Sequence, residues 1–173
     1  SDSEKFYVEK INILGNFNTI EEVIRNNFIV DEGDPYNEIL FNKSVNQIRS
    51  LGIFKKVESK VVKGTNDNTR IVNIAVEEKP TGEISLGAGF GTSGSVIGGG
   101  LTEKNFLGRG ITLNTDIEIS QDSIKGSLTY AKPYFNYTDN TLFTTVRSTT
   151  TDNLSTSGYK VSIAGFSLGT KFE

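Results

Sequence analysis

Apolar and polar residues follow different patterns in the two parts of the chain. Before the segment Glu77-Glu78-Lys79-Pro80, apolar residues recur partly at helical and partly at strand spacing. After it, Gly, Ser and Thr are frequent, and apolar residues recur mostly at every second position. Helices space their apolar residues about three or four apart, whereas a strand with one buried face alternates them. We therefore predict two domains, residues 1–80 and residues 81–173.

The first part contains the signals of two helices. Thr19 and Glu22 have the spacing of a capping box, in which Thr19 accepts hydrogen bonds from the first amides of a helix. Asn37 is a candidate cap for a second helix, and Gly52 is suited to end it. The apolar stripes of these helices are Ile20, Val23, Ile24 and Phe28 in the first, and Phe41, Val45 and Ile48 in the second.

Residues 6–14, 54–62 and 71–76 of the first part predict strands, because they are rich in β-branched and aromatic residues. Turn-forming residues separate these segments. The resulting order is β-α-α-β-β. Two helices on one face of a small three-stranded sheet would bury the apolar stripes. The first part is therefore expected to be an α+β domain.

The second part predicts about six consecutive antiparallel strands without a helix between them. Its clearest strand places Ile111, Leu113, Ile117 and Ile119 on one face and polar residues on the other. Transmembrane β-barrels and soluble β-sandwiches both show such alternation. Aromatic residues near one strand end favour the barrel, where they form a girdle at the membrane interface. These aromatic residues are Tyr130, Tyr134, Phe135 and Tyr137.

Composition argues against several functional classes. The chain has 18 Lys and Arg against 21 Asp and Glu, so it lacks the basic surface that nucleic acid requires. It contains no Cys and no His. The commonest general base, the usual zinc ligands and a cysteine nucleophile are therefore missing. We expect no enzyme, no catalytic residue, no metal and no cofactor. No apolar run approaches the roughly 20 residues of a transmembrane helix.

Gly89, Gly91 and Gly94 match the glycine fingerprint of dinucleotide-binding proteins. That fingerprint works only where a strand leads into a helix whose N-terminus holds the pyrophosphate. The residues that follow, Ser95 to Gly100, end in three consecutive glycines and do not favour a helix. We therefore interpret this segment as a β-hairpin.

Several motifs, in their order along the chain, resemble the BamA family of outer-membrane β-barrel assembly insertases. The first part resembles a POTRA domain, the periplasmic repeat of that family, at Ile13-Leu14-Gly15-Asn16 and Leu51-Gly52-Ile53-Phe54. Residues 76–82 resemble the exit from the final POTRA domain into the barrel. The most specific match, residues 103–110, resembles the turn after the second barrel strand. Lys132-Pro133-Tyr134-Phe135 resembles the turn after the fourth.

The resemblance implies a fold and a cellular location. The fold class is an α+β POTRA domain followed by an all-β antiparallel meander, the N-terminal part of a transmembrane β-barrel. The barrel would lie in the outer membrane, with the POTRA domain in the periplasm. Expected partners are unfolded outer-membrane β-barrel clients, accessory periplasmic lipoproteins of the assembly complex, and outer-membrane lipid. We expect both ends of the chain to be cuts in a longer protein.

The resemblance also makes residues 82–91 the first barrel strand, whose outer edge pairs with the last strand to close the barrel. Glycines at alternate positions weaken a strand, because glycine costs backbone entropy and supplies no packing side chain. We call the pairing of the first and last strands the seam. A weak seam can open and offer its edge as a template for the terminal strand of a client. Alternatively, the glycines face a crowded lumen or allow barrel curvature. The predicted client-pairing residues are Ile84, Ser85, Leu86, Gly87, Ala88, Gly89, Phe90 and Gly91.

Two further sets of residues are predicted to have structural roles. Glu78, Lys79 and Pro80 form an interdomain hinge, because they mark the change of composition. Glycines that permit positive φ, together with an asparagine that can bond the backbone, predict a tight turn. The residues of this turn are Asn105, Phe106, Leu107, Gly108, Arg109 and Gly110.

The first domain carries two candidate contact sites for partners. Arg25, Arg49, Lys55 and Lys56 are candidates for contact with an acidic lipoprotein, although scattered surface charges are usually only solvated. An exposed edge of the POTRA sheet could also bind extended client segments by strand addition. The sequence does not indicate which strand carries that edge.

A second function stays open from the residues alone: a soluble β-rich binding or adhesion module joined to a small α+β domain. The two functions differ in what covers the apolar face formed by Ile111, Leu113, Ile117 and Ile119. Lipid covers that face in a barrel, whereas a second sheet covers it in a sandwich.

Overall fold

The computed structural model describes residues 5–91 and 94–172. The chain divides into two compact units, with the boundary between Thr81 and Gly82, and each unit contains one sheet. The first unit comprises β1 (Tyr7–Leu14), α1 (Glu21–Arg25), α2 (Glu38–Ser50), β2 (Phe54–Lys63) and β3 (Thr69–Glu78). The second comprises β4 (Gly82–Gly91), β5 (Gly94–Phe106), β6 (Ile111–Ser120), β7 (Ser123–Lys132), β8 (Thr141–Asn153), α3 (Leu154–Ser157) and β9 (Tyr159–Lys171).

The first unit has the predicted order β-α-α-β-β. Its sheet has the strand order β1-β3-β2, in which β1 runs parallel and β2 antiparallel to the central strand β3. The core lies between this sheet and the helices. Ile24 of α1, Ile48 of α2 and Ile74 of β3 are all completely buried in it. The predicted α+β fold of this domain is confirmed.

Helix α2 forms as its sequence predicts. The Oδ1 atom of Asn37 accepts hydrogen bonds from the N–H groups of Ile39 at 2.9 Å and Leu40 at 3.1 Å. These bonds satisfy two of the amides that have no partner within the helix. Gly52 follows the helix with a φ of 69°, a left-handed conformation that glycine adopts without strain.

Helix α1 begins differently from the prediction. Its N-cap position is Ile20, and no side chain caps the helix there, so the predicted capping box of Thr19 and Glu22 is wrong. Instead, the Glu78 carboxylate accepts the backbone N–H of Thr19 at 2.7 Å, which holds the turn before the helix from β3. The helix ends at Arg25, so Phe28 packs on the core from beyond its end.

The second unit is an antiparallel meander of six strands, in which each strand pairs with the next along the chain. This arrangement confirms the predicted meander. The expectation that no helix separates these strands is wrong, because one turn of helix, α3, lies between β8 and β9. It forms where Asp152 Oδ1 accepts the N–H of Leu154 at 3.0 Å, and it ends at Gly158 with a φ of 74°.

The glycine fingerprint lies in a hairpin, as predicted. Gly91 at the end of β4 is paired with Gly94 at the start of β5, and these strands are antiparallel. Thr92 and Ser93, between them, lie outside the described residues. A dinucleotide site would require a helix after the strand, and β5 takes that place. None of the helices in the described ranges is long and apolar enough to span a membrane.

Candidate functional site

Strand β4 lies at one end of the six-stranded sheet. One edge pairs with β5 along the whole strand, whereas its other edge faces no strand in the described part of the chain. All ten of its residues are exposed, and Leu86 and Phe90 are 87% and 93% exposed. The strand therefore presents a row of unpaired N–H and C=O groups, which is the feature that another strand can pair with.

Gly87 and Gly89 of β4 are not required by packing within the described residues. A Cβ atom added at Gly87 or Gly89 would meet no described atom within 4 Å. The neighbouring strand differs, because a Cβ at Gly100 would lie 2.9 Å from Asp116 Oδ1 and 3.0 Å from Ser85 Oγ. Glycine at position 100 therefore makes room for side chains. In β4, the remaining effect of glycine is on backbone entropy and strand stability.

The polar face of the sheet forms a groove of about 740 Å³ beside these glycines. Charged side chains of β6, β7 and β8 line its wall. Lys125 pairs with Glu118 at 2.9 Å, the Ser127 hydroxyl donates to Asp116 at 3.4 Å, and Arg147 lies across from Ser127 in the register. Such a face favours contact with water, as in the lumen of a transmembrane barrel.

The opposite face carries exposed apolar side chains on every strand of the sheet. We call it the apolar face; on β4 to β9 in turn it includes Leu86, Ile97, Ile117, Leu128, Val146 and Phe166. Ile117 and Ile119 are 55% and 48% exposed, and no second sheet of the described residues covers them. A soluble sandwich would bury this face against another sheet, so the arrangement favours lipid contact.

The apolar residues run diagonally across the strands. One row of paired residues passes from Ala88 through Ile97, Ile119, Ile124 and Thr150 to Ser162. Another passes from Gly82 through Glu103, Leu113, Tyr130 and Thr144 to Leu168. The first row changes from apolar to polar, and the second begins polar and ends apolar. Barrel strands are tilted against the membrane normal, so an apolar band of constant height must cross them in this way.

The predicted turn is shorter than its motif. Strand β5 continues to Phe106, so Asn105 and Phe106 belong to the strand and the turn proper covers residues 107–110. The Oδ1 atom of Asn105 accepts the N–H of Gly110 at 2.8 Å, and its carbonyl accepts the N–H of Gly108 at 2.9 Å. Both glycines have positive φ, 69° and 64° respectively for Gly108 and Gly110. Asn105 therefore closes the turn from within the strand.

In the first unit, the outer edge of β1 is occupied by other parts of the same domain. The Val8 N–H donates to the carbonyl of Asp34 at 2.9 Å. Further along, the Ile11 N–H donates to Glu32 Oε1 at 2.9 Å, and the Ile11 carbonyl accepts from the Arg25 guanidinium at 2.9 Å. Another strand would have to displace these groups. This occupation could not be predicted from the sequence, because it depends on the path of the connector between the helices.

The outer edge of β2 is open along its second half. The Gly64 N–H donates to the Thr69 carbonyl at 2.9 Å, so Gly64 faces β3. In an antiparallel pair, alternate residues bond the neighbouring strand, so the even-numbered residues of β2 from Lys56 onward bond β3. The odd-numbered residues direct their main-chain N–H and C=O groups outward; these are Val57, Ser59, Val61 and Lys63. Arg49 bonds the Val57 carbonyl at 3.1 Å, and no described residue bonds the outward main-chain groups after it.

The four cations predicted to contact a lipoprotein all bond within the first domain. Arg25 pairs with Glu21 at 2.6 Å, and Arg49 bonds the Val57 carbonyl. Lys55 pairs with Glu77 at 2.7 Å, and its hydrogen bond holds the pKa of Glu77 below the ordinary value. Lys56 pairs with Glu58 at 2.6 Å, and this hydrogen bond raises the pKa of Lys56. Contact with an acidic partner stays a prediction, and it would compete with these bonds.

The predicted hinge residues differ in their bonding. Glu78 is the last residue of β3 and bonds Asn18 and Thr19. The Lys79 N–H donates to the Ile53 carbonyl at 3.4 Å. Both residues are therefore tied into the first unit. The hinge stays a prediction, and these bonds confine it to the residues after Lys79.

Comparison with known proteins identifies the first unit and the sheet that follows it. Residues 6–79 match the POTRA family, described as a surface antigen variable number repeat. The outer membrane protein assembly factor BamA of Neisseria meningitidis serogroup B is 32% identical over 134 residues, 76% of this chain. BamA of Neorickettsia risticii is 31% identical over 119 residues, 67% of this chain. The chain spans 17% and 16% of the length of these two relatives.

Solved structures give the same result for the fold. The crystal structure of BamA from Haemophilus ducreyi lacking POTRA domains 1-3 matches 98% of this chain with a TM-score of 0.86 and 26% identity, and the chain covers 33% of it. CdiB from Acinetobacter baumannii matches 96% of the chain with a TM-score of 0.61. At 16% identity, with 33% of CdiB covered, this second match shows the fold alone. The chain therefore belongs to the BamA family, as a POTRA domain joined to strands of an outer-membrane β-barrel.

Proposed function

We propose that the protein assembles β-barrel proteins into the outer membrane, and that the outer edge of β4 is the template for the terminal strand of a client. One observation carries this proposal: β4 and β9 both end the described sheet, but of these two strands only β4 has glycines at three alternate positions, Gly87, Gly89 and Gly91. Members of the family lie in the outer membrane with their POTRA domains in the periplasm. The edge of β4 therefore lies in the membrane, where clients are inserted.

Strand addition needs no catalytic side chain. Each backbone hydrogen bond contributes roughly 1 kcal/mol net in water. It contributes more in lipid, because the alternative is an unsatisfied polar group in hydrocarbon. A client strand that pairs along β4 gains these bonds and exchanges an exposed edge for a paired one. The attraction comes from the backbone, so clients of different sequence can use the same edge.

The glycines of β4 support this function by lowering the stability of the strand's own pairing. Glycine destabilises a strand by roughly 0.5–1 kcal/mol relative to alanine. Gly87 and Gly89 have open space where a Cβ would lie, so no described contact explains their small size. A weak closing seam exchanges its partner more readily than a strong one. The glycines therefore favour replacement of the protein's own last strand by a client strand.

The POTRA domain has a second, periplasmic role in this proposal. The second half of β2 is the open edge of its sheet, so an extended client segment would add there before it reaches the barrel. The edge of β1 is occupied by Arg25, Glu32 and the helix connector. Accessory lipoproteins are the further proposed partners, and their candidate contacts are Arg25, Arg49, Lys55 and Lys56.

A cysteine crosslinking scan along residues 84–90 tests the proposal in the intact protein with a stalled outer-membrane client. The 173 residues contain no native Cys to interfere. Ile117 and Ile119 provide matched control positions, since they lie on the same apolar face in a strand paired on both sides. We expect crosslinks that advance in register with the client's terminal strand from β4, and none from β6. If β4 crosslinks only to the protein's own last strand while the client is engaged, the seam stays shut and the proposed template is wrong.

A further inference from the structure

A β-bulge in β5 turns Phe106 onto the apolar face. The pair Glu103–Leu113 is followed by the pair Phe106–Ile111, so Lys104 and Asn105 together stand opposite the single residue Thr112. Side chains alternate between the faces of a strand, and one additional residue reverses that alternation. Phe106 therefore shares a face with Ile111 and Leu113. In a regular strand it would point to the polar face.

The bulge is held by specific hydrogen bonds. The Asn105 N–H, within the bulge, donates to Glu103 Oε1 at 2.7 Å. The Asn105 side chain accepts the Gly110 N–H at 2.8 Å, which ties the bulge to the far side of the turn. The orientation of Phe106 is therefore fixed by a local network rather than by packing alone. Ile111, its partner, is 5% exposed, and it is the one buried apolar side chain among the described residues of this sheet.

The turn that follows presents an apolar side chain between two cations. Leu107 has a φ of 57°, a left-handed conformation that leucine rarely adopts, and its side chain is 72% exposed. Lys104 and Arg109 are exposed and form no ion pair with another described residue. Apolar groups flanked by cations are typical of protein segments at the lipid–water interface. The cations face the headgroup phosphates there, while their aliphatic stems lie along the hydrocarbon.

We infer that residues 104–109 form an interfacial anchor, in which Phe106 and Leu107 enter the phospholipid layer while Lys104 and Arg109 bind headgroup phosphates. The anchor lies at the strand end that faces the periplasm, because β4 begins there directly after the POTRA domain. It extends the apolar face past Glu103, along the end of β5 and into the turn toward β6. It fixes the depth of β5 and β6 in the membrane. The inference rests on the proposed outer-membrane function only through the membrane location of the sheet.

Fluorescence quenching in vesicles tests the inference with the intact protein carrying single labelled cysteines. The variant Leu107→Cys carries a bimane label in the turn. Ile117→Cys marks the apolar face, and Asn114→Cys marks the polar face. The vesicles contain phosphatidylcholine brominated near the headgroup end of its acyl chains, with or without phosphatidylglycerol. We expect brominated lipid to quench the labels at positions 107 and 117 but not at position 114. The substitutions Lys104→Gln and Arg109→Gln should then reduce quenching at position 107, most strongly with phosphatidylglycerol.

The possible outcomes distinguish failure of the proposed anchor from failure of the proposed function. If position 117 is quenched by lipid while position 107 is quenched only by aqueous iodide, the turn lies in water and the anchor is wrong. If position 107 is shielded from both quenchers, a protein surface covers the turn, and the anchor is again wrong. If position 117 is also insensitive to lipid, the membrane location fails, and the proposed function fails with it.

A second comparison removes the anchor without changing the backbone. Asparagine tolerates the left-handed conformation, so Leu107→Asn removes the apolar side chain and keeps the turn. Leu154→Asn is the matched control, since Leu154 is a 58% exposed leucine near the opposite strand ends. With a label at Leu113→Cys, we expect Leu107→Asn to shift the depth profile of quenching, and Leu154→Asn to leave it unchanged. Equal profiles for both variants would show that Leu107 does not set the height of the strand.

Discussion

The Glu78 carboxylate accepts the backbone N–H of Thr19 at 2.7 Å, which joins the end of β3 to the turn before α1. It also accepts the backbone and side-chain N–H groups of Asn18, each at 3.0 Å. A helix cap bonds the amides of the first turn from a residue nearby in sequence. Here a residue from the opposite end of the domain bonds the two amides that precede the N-cap position Ile20. The last residue of the POTRA sheet thus fixes the entry to its first helix.

Replacement of Glu78 should therefore destabilise the POTRA domain. We expect Glu78→Gln to lower the free energy of unfolding by about 1–2 kcal/mol, because the charged acceptor of several hydrogen bonds is lost. Urea unfolding of residues 1–81 measures this change. Glu22→Gln is the matched control, since Glu22 is an exposed glutamate in α1 whose side chain makes no cap. A larger loss of stability in Glu22→Gln than in Glu78→Gln would contradict this prediction and support the capping box of Thr19 and Glu22.

The contribution of Glu78 should also depend on pH. Burial raises the pKa of Glu78, but hydrogen bonds from Thr19 and Asn18 outweigh burial and hold the pKa below the ordinary value. A carboxyl group whose pKa is lowered by folding stabilises the fold above its unfolded pKa, and this contribution is lost as the pH falls through the folded pKa. The stability difference between the native domain and Glu78→Gln should therefore be constant near neutrality and shrink below about pH 4. A difference that grows on acidification would contradict this assignment.

Two glycines with positive φ should respond differently to the same substitution. Gly15 has a φ of 89°, and a Cβ there would overlap the carbonyl oxygen of Val76. Gly33 has a φ of 95°, and a Cβ there would meet no described atom within 4 Å. Gly33→Ala should cost about 1 kcal/mol from backbone strain alone. Gly15→Ala should cost clearly more, about 2 kcal/mol or above, because the chain must also move from β3. Thermal unfolding of the two variants compares these costs, and equal values would refute the steric contribution.

A proline can block strand pairing at the open edge of β2. Ser59 directs its N–H outward, away from β3, so Ser59→Pro removes a donor from the edge and no bond from the ladder. We expect this variant to keep the fold and to lose binding of a peptide that copies the terminal strand of an outer-membrane barrel. Amide chemical shifts during a peptide titration measure both properties, with Ser59→Ala as the control that keeps the N–H. Shifts centred on β1, or unchanged binding by Ser59→Pro, would place the peptide site elsewhere.

The seam glycines provide a direct test of templating. A Cβ added at position 87 or 89 would meet no described atom within 4 Å, and valine favours strand conformation more than glycine does. The double variant Gly87→Val and Gly89→Val should strengthen the seam by roughly 1.4 kcal/mol or more, which corresponds to about tenfold slower opening and client insertion. The heat stability of the barrel should be equal or higher.

Gly165→Val is the matched control for that double variant. Gly165 lies in β9, away from the seam strand, and a Cβ there would also meet no described atom within 4 Å. Client insertion into vesicles by the purified protein is the measurement, and Gly165→Val should insert clients at the native rate. If all variants insert clients equally well, the glycines do not set the strength of the seam.

Several features could be predicted from the sequence because they depend on neighbours along the chain. The alternation of Ile117 and Ile119 with polar residues predicts a strand with one apolar face, and β6 has that form. Asn37 predicts the start of α2, since a cap bonds amides two and three residues away. The order of these elements and the change of composition near residue 80 then predict the fold class. The family motifs predict which strands of the barrel these are.

The tertiary structure alone decided which groups meet across long separations. Glu78 and Thr19 are 59 residues apart, so the local pattern at Thr19 and Glu22 could not predict that the turn before α1 bonds the end of β3. The open edge of the POTRA sheet could not be predicted, because it depends on where the helix connector and its side chains bond β1. The face of Phe106 depends on the register between β5 and β6, which the bulge shifts by one residue. Local patterns fix the conformation of a segment, whereas the partners of its edges and faces are set only when distant segments pack together.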